Sequence, residues 1–136
     1  MTATAAPARR AQSFLAFDVG TARTGVAAGN RLLGRAQPLR TIAARGDARF
    51  VPIAALIDEW RPDALVVGVP LHPDGRPHDN TRRAQRFARQ LQGRFSLPVH
   101  QVDERYTTCE ARAQGAADLD AAAAALILEQ YLRSLE

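Results

Sequence analysis

The chain predicts an α/β fold: one mixed β-sheet with its crossover connections packed on it as helices. Three observations carry that expectation. Between Phe14 and Ala28 two short apolar runs flank a tight polar turn, the pattern of a β-hairpin. Ala64 to Val69 is a continuous apolar run bounded by prolines, which reads as a parallel strand covered on both faces. Segments with apolar residues at helical spacing lie between the strand-like runs, and alternation of strand and helix builds parallel crossovers.

In the hairpin, Phe14, Leu15, Phe17 and Val19 put apolar groups on both faces of the first strand, as expected of a central strand. Asp18 is set into that strand. An ionised carboxylate costs several kcal/mol to bury unless it is paired or bound to a cation. Asp18 is therefore either an acid capping a loop or an acid held at the mouth of the sheet for a metal or a phosphate. Gly20 and Gly25 bracket the turn and let a backbone or a phosphate come close.

Arg31 to Pro38 reads as a third, weaker strand ending at proline. Asp47 then opens a helix whose core stripe is Phe50, Ile53, Ala54, Ile57 and Trp60. Pro52 falls in its first turn, where proline is tolerated, and Arg61-Pro62 stops it. After the strand at residues 64–70 comes a polar loop, Leu71 to Asn80, with Pro73-Asp74-Gly75 as its turn. Asp79, Asn80 or Thr81 caps the next helix, whose inner face is Ala84, Phe87, Ala88 and Leu91. Arg82, Arg83, Arg86 and Arg89 fall outside that stripe and face solvent or a ligand; Gly93 ends the helix. Pro98 to Val102 is a further strand running into Asp103-Glu104-Arg105. Thr107 or Thr108 caps a short helix, Gly115 to Asp118 is a link, and the last helix runs from about Leu119 to Ser134.

A chain of 136 residues suggests one domain, residues 13–136, behind a disordered N-terminal tail, residues 1–12. No run approaches the roughly 18 apolar residues that span a bilayer, and no secretory signal is present. The single cysteine, Cys109, excludes an internal disulfide framework, and no Cys/His spacing suggests zinc. His72, His78 and His100 have no partner spacing. A reducing cytoplasm is the default compartment. Lysine is absent, so all cations are arginine. Between His72 and Arg94 six arginines face two acids, and this local excess of +4 equals the net charge of the whole chain. The basic character is thus a patch, either a solvated helix face or an attractor of polyanions.

In α/β sheets ligands gather at the carboxyl ends of parallel strands. Asp18 ends the first strand, and Asp103 and Glu104 end the last. Asp120 opens the final helix on a face shared with Ala124, Ile127 and Tyr131. Asp118 is the better cap by position, which leaves Asp120 either to complement the helix dipole or to look inward. Acids packed together repel unless a cation lies between them, and Mg²⁺ takes one or two carboxylates with waters and phosphates. Such a clamp activates water for phosphodiester cleavage. With the arginine patch to hold a polyanion, the acids favour a metal-dependent nuclease. Two rival classes are a nucleotide-binding ATPase, on the resemblance of Asp18-Val19-Gly20-Thr21 to a phosphate loop, and a non-catalytic RNA-binding module.

Four motifs in order bear a family likeness: Phe17-Asp18-Val19-Gly20 with Arg23-Thr24-Gly25-Val26-Ala27; Val67-Gly68-Val69-Pro70-Leu71 with Asp74-Gly75; Asp103-Glu104-Arg105-Tyr106-Thr107-Thr108; and Asp120-Ala121 with Ala124 to Leu132. Together they resemble the YqgF/RuvX family, RNase H-like proteins named for pre-16S rRNA processing and earlier for Holliday junction resolution. The resemblance implies a five-stranded mixed sheet with helices on both faces, and a nuclease hydrolysing phosphodiester bonds, acting on the 5' end of pre-16S rRNA or on Holliday junctions in DNA. It implies Asp18, Glu104 and Asp120 as catalytic, metal-binding acids for Mg²⁺ or Mn²⁺, with Asp103 a possible substitute ligand. It also implies phosphate contacts from Arg23 and Arg105, alongside Arg82, Arg83, Arg86 and Arg89. The expected partner is structured RNA, pre-16S rRNA or the preribosome, or else branched DNA; the expected state is a monomer or weak homodimer away from membranes. The chain departs from the family pattern in three places: a short segment between Cys109 and Leu119, Ala22 where relatives often carry lysine, and no carboxylate at the end of the strand finishing Gly68-Val69-Pro70.

Overall fold

The structure, a computed structural model, describes residues 11–71, 74–103 and 118–135. Its strands are β1 (Ser13–Val19), β2 (Thr24–Asn30), β3 (Arg35–Ile42), β4 (Ala64–Val69) and β5 (Val99–Asp103). Its helices are α1 (Phe50–Trp60), α2 (Asp79–Phe95) and α3 (Leu119–Ser134), with a 3-10 turn, Gly46–Arg49, leading into α1. The five strands form one sheet in the order β3-β2-β1-β4-β5. β1 pairs antiparallel with β2, and β2 with β3, whereas β1, β4 and β5 are parallel. This is the mixed sheet the sequence predicts.

Period-two alternation divides the sheet's apolar residues between two layers. Leu15, Phe17, Leu65 and Val67 meet Ile53 of α1 and Phe87 and Leu91 of α2. Phe14, Ala16, Ala64 and Val66 meet Ile127, Leu128 and Leu132 of α3. β4 is buried along its whole length. Helices thus cover both faces, and the central strand β1 separates the two cores.

Several boundaries differ from expectation for identifiable reasons. The third strand does not end at Pro38. Residues 31–34 belong to the turn after β2, and β3 continues through the proline to Ile42. The register slips between Val26, opposite Arg40, and Ala27, opposite Pro38. An edge strand at a bulge is where a residue without an N–H is accommodated. Asp47 lies in the 3-10 turn, so α1 opens three residues later than expected, at Phe50. Neither Asp79, Asn80 nor Thr81 is the N-cap of α2. His78 takes that place: its Nδ1 accepts the Asn80 N–H at 3.1 Å, and Thr81 Oγ1 accepts the His78 N–H at 3.0 Å, a reciprocal capping arrangement. Gly93 does not end the helix, which closes instead at Ser96 in the left-handed region with φ 56. Trp60 is not a core residue; it ends α1 at 38% exposure.

The expected short helix after Thr107 or Thr108, and most of the expected tail, lie outside the described residues. Among the described residues no helix is long and apolar enough to cross a membrane.

Candidate active site

Asp18 stands one residue from the carboxyl end of β1. Its position alternates with Leu15 and Phe17 and matches Phe14 and Ala16, so it belongs to the face that α3 covers. Its cross-strand partner is Gly25 on β2, which sets the two Cα atoms about 4.5–5.5 Å apart. The hairpin turn between them is tight, with the Gly20 N–H donating to Arg23 O at 2.8 Å.

Gly25 fixes where α3 begins. A Cβ on this residue would lie 1.9 Å from Asp120 O and 2.1 Å from Asp120 C, so only a glycine admits the helix's first turn at this depth. The close approach of a backbone expected at Gly25 is therefore made by Asp120 itself. Two acids that are 102 positions apart in the sequence (120 − 18) border one glycine on one face of the sheet.

The start of α3 is held from two sides. Asp118 is its N-cap, accepting the Ala121 N–H at 3.2 Å and the Thr41 hydroxyl from the end of β3. Asp120 is half-buried and pairs with Arg23, Oδ2 to Nε 3.1 Å. Arg23 is largely exposed, so the pair has little value for stability. Its effect is local: a guanidinium from the hairpin turn faces the carboxylate of the residue whose main chain packs on Gly25.

The remaining acids divide. In β5, Val99 packs into the layer of α1 and α2, while Val102 and the ring of His100, stacked on Tyr131 at 5.2 Å, belong to the α3 layer. Alternation assigns Asp103 to the Val99 face, opposite Asp18. Its main-chain oxygen accepts from Gln130 Nε2 at 2.9 Å. Glu104 and Arg105 lie outside the described residues. Among the described residues no cluster of three or more His, Cys, Asp or Glu is placed to hold a metal ion. What those residues bring to one place is the main chain of Asp18, paired with Gly25, and the main chain of Asp120, packed on the same glycine; a pair of carboxylates is a donor set that suits Mg²⁺ completed by waters and phosphate.

The arginines of α2 lie on the other layer. The first turn of α2 is tied to the same edge of the sheet, since the Thr81 hydroxyl donates to Pro70 O just beyond β4. Arg82 pairs with Asp79 at 3.4 Å, and Arg83 donates to Asn80 Oδ1; Arg86 and Arg89 are exposed. These cations flank the edge rather than crowd Asp18. Sequence reasoning missed Arg49, which is buried beneath the turn and donates to Gly20 O at 3.2 Å and Thr24 Oγ1 at 3.5 Å. A lone arginine between a flexible-looking Gly46 and a helix gave no periodic signal by which to find it.

A family model described as "RuvX: Holliday junction resolvase" matches residues 12–134. A protein of Albidiferax ferrireducens named "Putative pre-16S rRNA nuclease" is 69% identical over 124 residues, covering 91% of this chain and 80% of the relative. One of Polaromonas with the same name is 65% identical, covering 91% and 90%. Among solved structures, T. thermophilus RuvC in complex with Holliday junction substrate is similar, with a TM-score of 0.55 at 15% identity, covering 91% of this chain and 95% of that one. At that identity the likeness speaks for the fold, which is the RNase H-like one.

Proposed function

Since the chain belongs to the RuvX family, we propose that it is a nuclease hydrolysing phosphodiester bonds, with the 5' end of pre-16S rRNA as its substrate. The relatives' shared name supports the RNA substrate. The observation that carries the enzyme reading is the convergence of Asp18 and Asp120 on Gly25 at the carboxyl edge of the sheet.

Asp18 and Asp120 are the carboxylates that would hold Mg²⁺ or Mn²⁺. Such an ion, when bound, lowers the pKa of a coordinated water and stabilises the leaving oxygen. Asp103 lies on the face of β5 away from Asp18, which supports Glu104, the next acid of the sequence, as the third carboxylate. Arg23, at the hairpin turn, is placed to exchange its contact with Asp120 for a substrate phosphate, and Arg105 follows Glu104 in the sequence. Arg82, Arg83, Arg86 and Arg89 extend the cationic surface along the strand's path. The expected setting is the cytoplasm, where pre-rRNA is made.

The test is cleavage of an RNA carrying the precursor extension, with Mg²⁺ or Mn²⁺ present. Asp18→Asn and Asp120→Asn each lower the rate by about 100-fold or more while binding persists. Undiminished cleavage by both purified variants overturns the reading in favour of a passive RNA binder. The family description favours a second substrate, a four-way DNA junction; junction cleavage at a rate equal to or above that on RNA would select it.

A further inference from the structure

Across the sheet from Asp18, the hairpin turn backs onto a cleft of about 290 Å³ lined by Thr21, Arg45, Arg49, Arg83 and Arg86, with Asp47 as its acid. Four guanidinium groups thus face one carboxylate. None of the four forms an ion pair among the described residues. Asp47 lies 3.5 Å from Arg94 Nη2, and Arg94 sits over the Phe50 ring at 4.2 Å, so the acid's charge is shared with a cation outside the cleft.

Arg49 is the centre of this arrangement, at 8% exposure. Its partners are neutral: Gly46 O at 3.0 Å, Gly20 O at 3.2 Å, Thr24 Oγ1 at 3.5 Å, and the face of Phe87 at 5.6 Å. Only Nε and Nη1 are engaged in those hydrogen bonds. Burial, then the nearby Arg83, hold its guanidinium below the usual arginine range, with Asp47 opposing. A buried cation without a carboxylate is costly, and the ligand that relieves it is an anion able to accept several planar N–H groups. A phosphate group has that geometry.

We propose that this arginine cleft binds a phosphate of the nucleic-acid strand, either a backbone diester or a 5'-terminal monophosphate. It anchors the substrate on the side of the turn away from the acids. The nucleic-acid ligand rests on the nuclease reading, but the cleft's affinity for phosphate does not. Thr21 is three residues beyond Asp18, a length of chain that spans at most about 11 Å. Arg49 holds the turn's Gly20 carbonyl directly, so a phosphate in the cleft and a scissile bond at Asp18 are positioned by one short segment.

The experiment measures binding in EDTA, so that its outcome is independent of cleavage. Inorganic phosphate at constant ionic strength should raise the melting temperature of the native chain, as any ligand of the folded state does, and Arg49→Gln should abolish the rise. For a short single-stranded RNA, Arg86→Ala should weaken binding about tenfold and reduce the slope of log K against log salt by about 0.7. Arg133→Ala, on the exposed side of α3, removes the same charge and should lose far less. A 5'-phosphorylated RNA binding more tightly than its dephosphorylated form identifies the terminal monophosphate; equal binding identifies a backbone diester. Equal losses in Arg86→Ala and Arg133→Ala, or no response of the native chain to phosphate, overturn the proposal. Arg86 is exposed, so its result stands even where Arg49→Gln fails to fold.

Discussion

The missing side chain of Gly25 is filled by the main chain of Asp120, whose carbonyl oxygen would lie 1.9 Å from a Cβ at that position. Gly25→Ala must therefore push the first turn of α3 away from the sheet. Overpacking of this kind costs typically about 1–3 kcal/mol. Urea denaturation should show a lowered midpoint with an unchanged slope, the mark of lost stability rather than altered compactness. Cleavage should fall further than stability explains, because the displaced residue carries the carboxylate. A Gly25→Ala protein with native activity would mean that the spacing of Asp18 and Asp120 is not what the reaction needs.

Asp103 and Glu104 are neighbours in the sequence, and the proposed reaction uses the second of them. Asp103 shares the face of Val99, away from Asp18. Asp103→Asn should retain activity within about threefold, whereas Glu104→Gln should lose about 100-fold or more, the scale expected when a group stabilising the reacting phosphate is removed. Steady-state cleavage of the two purified variants separates them. The reverse ranking would place the third carboxylate on the wrong side of the sheet and sink the assignment.

These contrasts mark where the sequence was legible. The sheet and its two cores followed from apolar periodicity, because a buried strand such as Ala64–Val69 and a stripe such as Ala84, Phe87 and Leu91 have few other uses. Asp18 drew notice as a carboxylate inside an apolar strand, and Asp120 as an acid opening the last helix on its apolar face. The parity of Asp103 could not be read, since it depends on which face of β5 meets α3, a fact of packing rather than of local pattern. Pro38 misled for the same reason: only the bulge opposite Val26 and Ala27 reveals that β3 runs through it. His78 as a cap and Arg49 beneath the turn were invisible because both act through main-chain groups brought together by the tertiary fold.

Among the described residues the Arg23 guanidinium pairs with Asp120 at 3.1 Å, in a solvent-exposed position. Exposed pairs contribute at most about 1 kcal/mol, so Arg23→Ala should leave the melting temperature nearly unchanged. If the guanidinium exchanges Asp120 for a substrate phosphate, KM should rise several-fold, and the salt dependence of binding should weaken by about one phosphate contact. An unaltered KM would confine Arg23 to its ion pair.

Asp118 tests how far catalysis depends on the helix that presents Asp120. Its carboxylate accepts the Ala121 N–H and the Thr41 hydroxyl, joining the start of α3 to the end of β3. Loss of an N-cap costs about 1 kcal/mol, and a frayed first turn would also free Asp120 to move. Asp118→Ala should therefore lower both stability and cleavage. Asp118→Asn keeps an acceptor for the helix N–H and should restore most of both, since asparagine caps as well as aspartate does. Thr41→Val, which removes the hydroxyl donor from the other side, should reproduce a milder form of the alanine effect. The informative failure is an Asp118→Asn protein that is stable yet as inactive as Asp120→Asn: only a role for the charge itself explains that result, and Asp118 would then join the catalytic acids instead of merely holding one of them in place.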